Sequence, residues 1–157
     1  LMNNHFHLLA STPHANLSAC MQYLMKSTSD EITEQSGRIN QTYGGRHWRC
    51  IVRGFHYYCH AYKYLYRNPV RACLCERVEE YEFSTLRGKL GLSKLIIPVA
   101  EDTLLFDQPT EETLRWLNRQ PSADAEIEVG RALNRTTFEI PRNRKTRERS
   151  NLEFDML

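Results

Sequence analysis

The chain has 157 residues, with 21 Lys and Arg against 19 Asp and Glu and a formal net charge of +2. That length admits one compact domain with an extension, and so slight a basic excess excludes a protein coated in positive charge, so any contact with nucleic acid is local. Five cysteines, an odd number without paired spacing, argue against a disulfide framework and for a reducing, cytoplasmic setting, and no apolar run is long enough to span a membrane.

Residues 4–11 form an apolar run that reads as a β-strand. Alternation along a strand puts His5 and His7 on one face and Phe6 on the other. Two neutral imidazoles presented this way make a bidentate platform for a divalent ion, or else a solvated strand face. A helix is expected from Asn16 to about Glu34, with Leu17, Cys20, Met21, Leu24 and Thr28 on its apolar side. Ser36 to Gly45 is a polar connection, with Ile39 and Tyr43 as anchors. Arg46, Trp48, Arg49 and Arg53 follow Gly44-Gly45, a pattern suited to a loop that touches phosphates and stacks on bases, or to solvated arginines around a core tryptophan. Cys50-Ile51-Val52 reads as a short strand or loop.

Between Phe55 and Asn68 there is no glycine or proline, so a helix is expected, and Pro69 is expected to end it. At helical spacing His60, Tyr64 and Asn68 fall on one stripe, offering a proton acceptor, a nucleophile and a metal ligand. Tyr58, Tyr62 and Leu65 follow a second stripe suited to core packing. The bland alternative makes all five tyrosines between Tyr57 and Tyr66 packing residues. A short helix is expected at 84–90. Beyond Leu95 prolines punctuate two further helices, at Thr110–Asn118 and Ser122–Leu133. Arg142 to Arg149 reads as a solvated tail or a phosphate-binding arm, and the terminal apolar residues from Leu152 as a segment able to dock on the body.

Asn3-Asn4-His5-Phe6-His7-Leu8-Leu9, Asn16-Leu17 through Met21-Gln22, Gly45-Arg46-His47-Trp48, Tyr64-Leu65-Tyr66-Arg67-Asn68-Pro69-Val70-Arg71-Ala72 and Glu80-Tyr81-Glu82-Phe83-Ser84-Thr85 together resemble the HUH single-tyrosine transposases, in particular the REP-associated tyrosine transposases. The resemblance spans about residues 2 to 88. It implies an α/β fold of the α+β kind: a ferredoxin-like sheet with helices on one face, in an N-terminally truncated catalytic domain over 1–92. A mainly helical extension would occupy 93–157. It further implies that His5, His7 and Asn68 hold Mg²⁺ or Mn²⁺ and that Tyr64 attacks hairpin-bearing single-stranded DNA, forming a 5′-phosphotyrosine that needs no nucleotide cofactor to be rejoined.

His60 as general base is an expectation from spacing alone. Arg46, Trp48, Arg49, Arg67 and Arg71 are the expected DNA contacts. In the family a strand and a helix precede the HxH strand. With Leu1 almost on the motif, that strand is expected to lack its neighbour and to expose an edge. A DNA-binding remnant without cleavage activity is the alternative.

Overall fold

The computed structural model describes residues 1–95, 97–100, 110–140, 142 and 146–153. They divide into two compact units, one of Leu1–Leu9 with Cys50–Leu157 and one of Ala10–Arg49.

The Ala10–Arg49 unit is built on α1 (Leu17–Ser36). Gly37 closes the helix in the left-handed conformation, φ 64°, with its N–H donating to Thr33 O at 2.9 Å. The following connection is tied back at Tyr43, whose hydroxyl lies 2.6 Å from Thr28 Oγ1. Ile39, the other expected anchor, is 99 % exposed and anchors nothing.

In the larger unit α2 (Phe55–Arg71) is the central element. Its length follows from an uninterrupted run of residues without glycine, and its two apolar stripes set the packing. Tyr62 and Tyr66, with Tyr58 and Leu65 beside them, join Val78, Leu86 and Leu117 in one cluster. Tyr57 and Tyr64 pack against a second cluster of Ala125, Val129, Ala132, Phe138, Ile140 and Leu152. The first cluster is completed by α3 (Thr85–Lys89) and α4 (Thr110–Asn118), the second by α5 (Ala123–Leu133). Each fully buried apolar side chain contributes about 1.5–3 kcal/mol, so these two layers carry the unit. The two helices expected in a C-terminal extension therefore pack on α2, and Leu152 docks into the second cluster. Residues 143–145 of the expected basic tail and 154–157 of the terminal segment lie outside the described residues.

The expected ferredoxin-like sheet is corrected: the described residues are 49 % helical, mainly α, and contain no sheet. A strand persists only when a neighbour satisfies its backbone groups. Residues 4–11 have no such neighbour among the described residues. The sole β pairing among the described residues is an isolated parallel bridge between Ile51 and Thr137, bonded through Ile51 N to Thr136 O and Phe138 N to Ile51 O, both at 2.9 Å. Helices and their connections cover both apolar stripes of α2, the role a sheet face would have filled.

A second correction concerns Pro69, which lies inside α2 and not after it. The helix runs only two residues further, so the missing proline N–H costs one bond in its last turn. Leu74 N then donates to Pro69 O at 3.0 Å as the chain turns away. None of the described helices is long and apolar enough to cross a membrane.

The start of α5 illustrates how local sequence fixes an element. Ser122 is its N-cap, and its hydroxyl accepts from Ala125 N at 3.2 Å. Ser122→Ala is expected to cost about 1 kcal/mol and to lower Tm by roughly 2–4 °C. A thermal melt indistinguishable from the parent chain would show that the cap contributes nothing.

Candidate functional site

Tyr64 is half-buried on α2, beside α5. Its ring packs against the second cluster, to which α5 contributes Ala125, Val129 and Ala132. On another side stands His7, with ring centroids 5.8 Å apart and planes at 83°. His5 in turn sits edge-on to His7 at 4.9 Å. The segment carrying both histidines is held without a sheet. The Leu1 nitrogen donates to Phe83 O at 2.9 Å, the Tyr81 hydroxyl donates to Leu1 O at 2.7 Å, and Leu9 packs against the first cluster.

His7 has its pKa lowered, first by desolvation among its neighbours and then by repulsion from His5. A neutral imidazole keeps a lone pair for a metal. His5 Nδ1 lies 2.7 Å from Asn4 Oδ1, a second partner that orients its ring. Arg71 supplies positive charge at the tyrosine. Its Nη1 donates to the Tyr64 hydroxyl at 3.3 Å, and its guanidinium lies 5.7 Å from the ring centroid.

Asn68 follows one turn later and lines a cavity of about 20 Å³ together with Lys63, Tyr64, Arg67, Arg71 and residues of the α5 region. Among the described residues no group of three or more His, Cys, Asp or Glu is placed to hold a metal. A closed site of the zinc type therefore does not fit them. The donors present are the imidazoles of His5 and His7 beside the Tyr64 ring and the Asn68 carboxamide on the cavity.

His60 has other partners than those its spacing suggested. It is fully buried, and its Nε2 lies 3.1 Å from both Leu152 O and His56 Nε2. Burial, the neighbouring His56 and Lys63 push its pKa down to about 4, against the opposing pull of the Leu152 carbonyl and Glu153. Arg67, expected on DNA, is buried instead. Its Nη1 donates to Leu117 O at 3.3 Å and Asn118 O at 3.0 Å, satisfying carbonyls at the end of α4. Its place at helical spacing after Lys63 turns it toward α4. Arg46, Trp48 and Arg49 are exposed in the Ala10–Arg49 unit, Trp48 at 65 %.

Lys63 is the residue sequence reasoning passed over. It is 1 % exposed, with Nζ 5.3 Å from the Trp116 ring centroid, and burial beside Arg67 and Arg119 pulls its pKa down to about 8. The available signal was two cations one helical turn apart, Lys63 and Arg67, in an otherwise aromatic helix. Compared with protein-family models, with curated proteins and with solved structures, the chain matches none.

Proposed function

We propose that the protein is a DNA strand transferase of the HUH transposase type, cleaving and rejoining hairpin-bearing single-stranded DNA through a phosphotyrosine at Tyr64. The observation that carries this reading is the meeting of His7 and Tyr64, 5.8 Å apart by ring centroid, with Arg71 donating to the tyrosine hydroxyl. Residues far apart in sequence thus present a nucleophile, a cation and imidazole ligands together.

In this reading the Tyr64 oxygen attacks a backbone phosphorus. The phenol gives up its proton to solvent as the P–O bond to the 3′ oxygen breaks, and that oxygen takes up a proton from water and leaves as a 3′-hydroxyl. Arg71 offsets negative charge growing on the phenol oxygen before the new bond is complete. His5, His7 and Asn68 would hold Mg²⁺ or Mn²⁺, whose chemistry is to polarise the phosphate and neutralise its oxygens. Because a phosphodiester-like link is kept on Tyr64, the 3′-hydroxyl can reverse the reaction without a nucleotide cofactor.

A second reading, a DNA-binding relative that does not cleave, is favoured by one observation. Residues 4–11 carry the histidines without a sheet partner among the described residues. Incubating the chain with a labelled single-stranded hairpin oligonucleotide and Mn²⁺ distinguishes the two. A covalent protein–DNA band that survives denaturation and disappears with EDTA is expected. Oligonucleotide binding by folded protein without that band would discard the enzyme in favour of the silent module.

A further inference from the structure

His56 and His60 lie one turn apart on α2, and their rings meet edge to face with centroids 4.5 Å apart. Their Nε2 atoms are 3.1 Å from each other. Both also reach the backbone carbonyl of Leu152, which stands 2.5 Å from His56 Nε2 and 3.1 Å from His60 Nε2. Two nitrogens and an oxygen thus form one small triangle. A neutral imidazole has a single N–H to place on one of its two nitrogens. If both Nε2 atoms carry it, both donate to the carbonyl, and two N–H groups are crowded side by side. If one lacks it, that nitrogen turns its lone pair on the carbonyl oxygen. No placement of these protons makes all three contacts attractive.

A cation above the triangle does. At the bond length of an imidazole to a divalent transition ion, roughly 2.0–2.1 Å, two ligands lie roughly 2.9–3.4 Å apart as their angle opens from a right angle to a tetrahedral one. Two edges of the triangle, both 3.1 Å, fall in that range. The third has to widen by roughly 0.5 Å, which a small rotation of the half-buried His56 side chain supplies. The i, i+4 spacing is the one by which a helix offers two imidazoles to a single ion. The third donor is a backbone oxygen, so the set is an open site whose remaining positions belong to water. His60 and Leu152 are buried, but His56 and Glu153 are half-buried and Asn151 is exposed, which leaves an approach from the side of the turn. Of the charged side chains that act on His60, Glu153 favours a cation there and Lys63 opposes one.

We propose that His56, His60 and the Leu152 carbonyl bind a divalent transition ion such as Zn²⁺, which clips the Asn151–Glu153 turn to α2. Imidazole nitrogens select such an ion over Mg²⁺, whose ligands are oxygens. The site shares no residue with His5, His7, Tyr64 or Asn68 and stands whether or not the chain cleaves DNA. Because it joins positions 92 residues apart, its binding energy acts on the stability of the fold.

The test uses the full chain, stripped with EDTA, dialysed and titrated with Zn²⁺ alone. At about 100 times its dissociation constant the ion is expected to raise Tm by roughly 5–10 °C. His56→Gln keeps an amide donor for the Leu152 carbonyl but loses the ligand, so it should lose the response. A chain carrying both His5→Ala and His7→Ala should retain it. A His56→Gln chain that responds like the parent overturns the site, and so does a response that vanishes in the folded His5, His7 double variant.

Nuclear magnetic resonance of the parent chain carries the test without any substitution. Zn²⁺ is expected to shift the imidazole nitrogen signals of His56 and His60 together, complete at one equivalent. Shifts confined to the other histidines or to the cysteines would place the ion elsewhere and overturn the clip.

Discussion

Replacing Tyr64 with phenylalanine is expected to abolish the covalent protein–DNA adduct, by at least about 10³-fold, while the chain remains folded and still binds the oligonucleotide. Only one oxygen is removed. The ring that packs on the second cluster, stands against His7 and lies under Arg71 is unchanged, and the attraction of a guanidinium to an aromatic face does not depend on the hydroxyl. The bond lost is a single one at 3.3 Å to an exposed arginine, worth about 1 kcal/mol or less. The neighbouring tyrosines provide the control. Tyr57 donates to Glu153 at 2.7 Å, and the Tyr66 hydroxyl lies 3.2 Å from Thr85 Oγ1. Their hydroxyls serve the packing of the helices, so Tyr57→Phe and Tyr66→Phe should lower stability modestly and leave the adduct intact. Gel analysis of all three variants with the same hairpin substrate decides the matter. An adduct from Tyr64→Phe at parental yield would remove Tyr64 from the mechanism.

The helices were legible because each carries its own signal within a few residues. Thr110–Asn118 and the segment capped by Ser122 fall where spacing and capping place them, and Thr85–Lys89 lies within the expected 84–90. The long-range features were not legible in the same way. Whether residues 4–11 form a strand depends on what lies beside them, and alternation along the segment says nothing about the presence of a ladder partner. Pro69 signals a stop because the residue before a proline avoids the helical region, yet packing of α2 on both its faces carries the helix two residues past it.

The site divides along the same line. The i, i+4 stripe put Tyr64 and Asn68 on one cavity, but it also put His60 with them, and the contact that claims His60 comes from Leu152, 92 residues away. Spacing along one helix states which side chains share a direction. It does not state which of them another segment will cover. Lys63 and Arg67 belong to this class too, since charged residues on an aromatic helix look solvated until α4 and α5 close over them.

The coverage of His60 has a measurable consequence in acid. Its pKa is pushed down to about 4 from an ordinary 6.5, chiefly by burial and then by His56. Between those two values the unfolded chain holds a proton that the folded chain does not, so stability rises with pH across the window and is lost as pH falls from 6.5 toward 4. At 1.36 kcal/mol per unit the full penalty is about 3 kcal/mol, and about 2 kcal/mol of it is present at pH 5. What is lost is specific: His56 and His60 both approach the Leu152 carbonyl and together hold the Asn151–Glu153 turn against α2, beside the cluster that supports Tyr64. Urea melts at pH 7 and pH 5 should therefore differ by at least that amount in the parent chain, because His7, also shifted downward, acts in the same direction. In His60→Gln the amide can still donate to the carbonyl but cannot titrate, so the difference should shrink by about 2 kcal/mol even if the variant is less stable at both pH values. An unchanged pH difference in His60→Gln would mean that the imidazole takes up its proton without cost in the folded protein. The clasp on Leu152 would then have no part in its acid sensitivity.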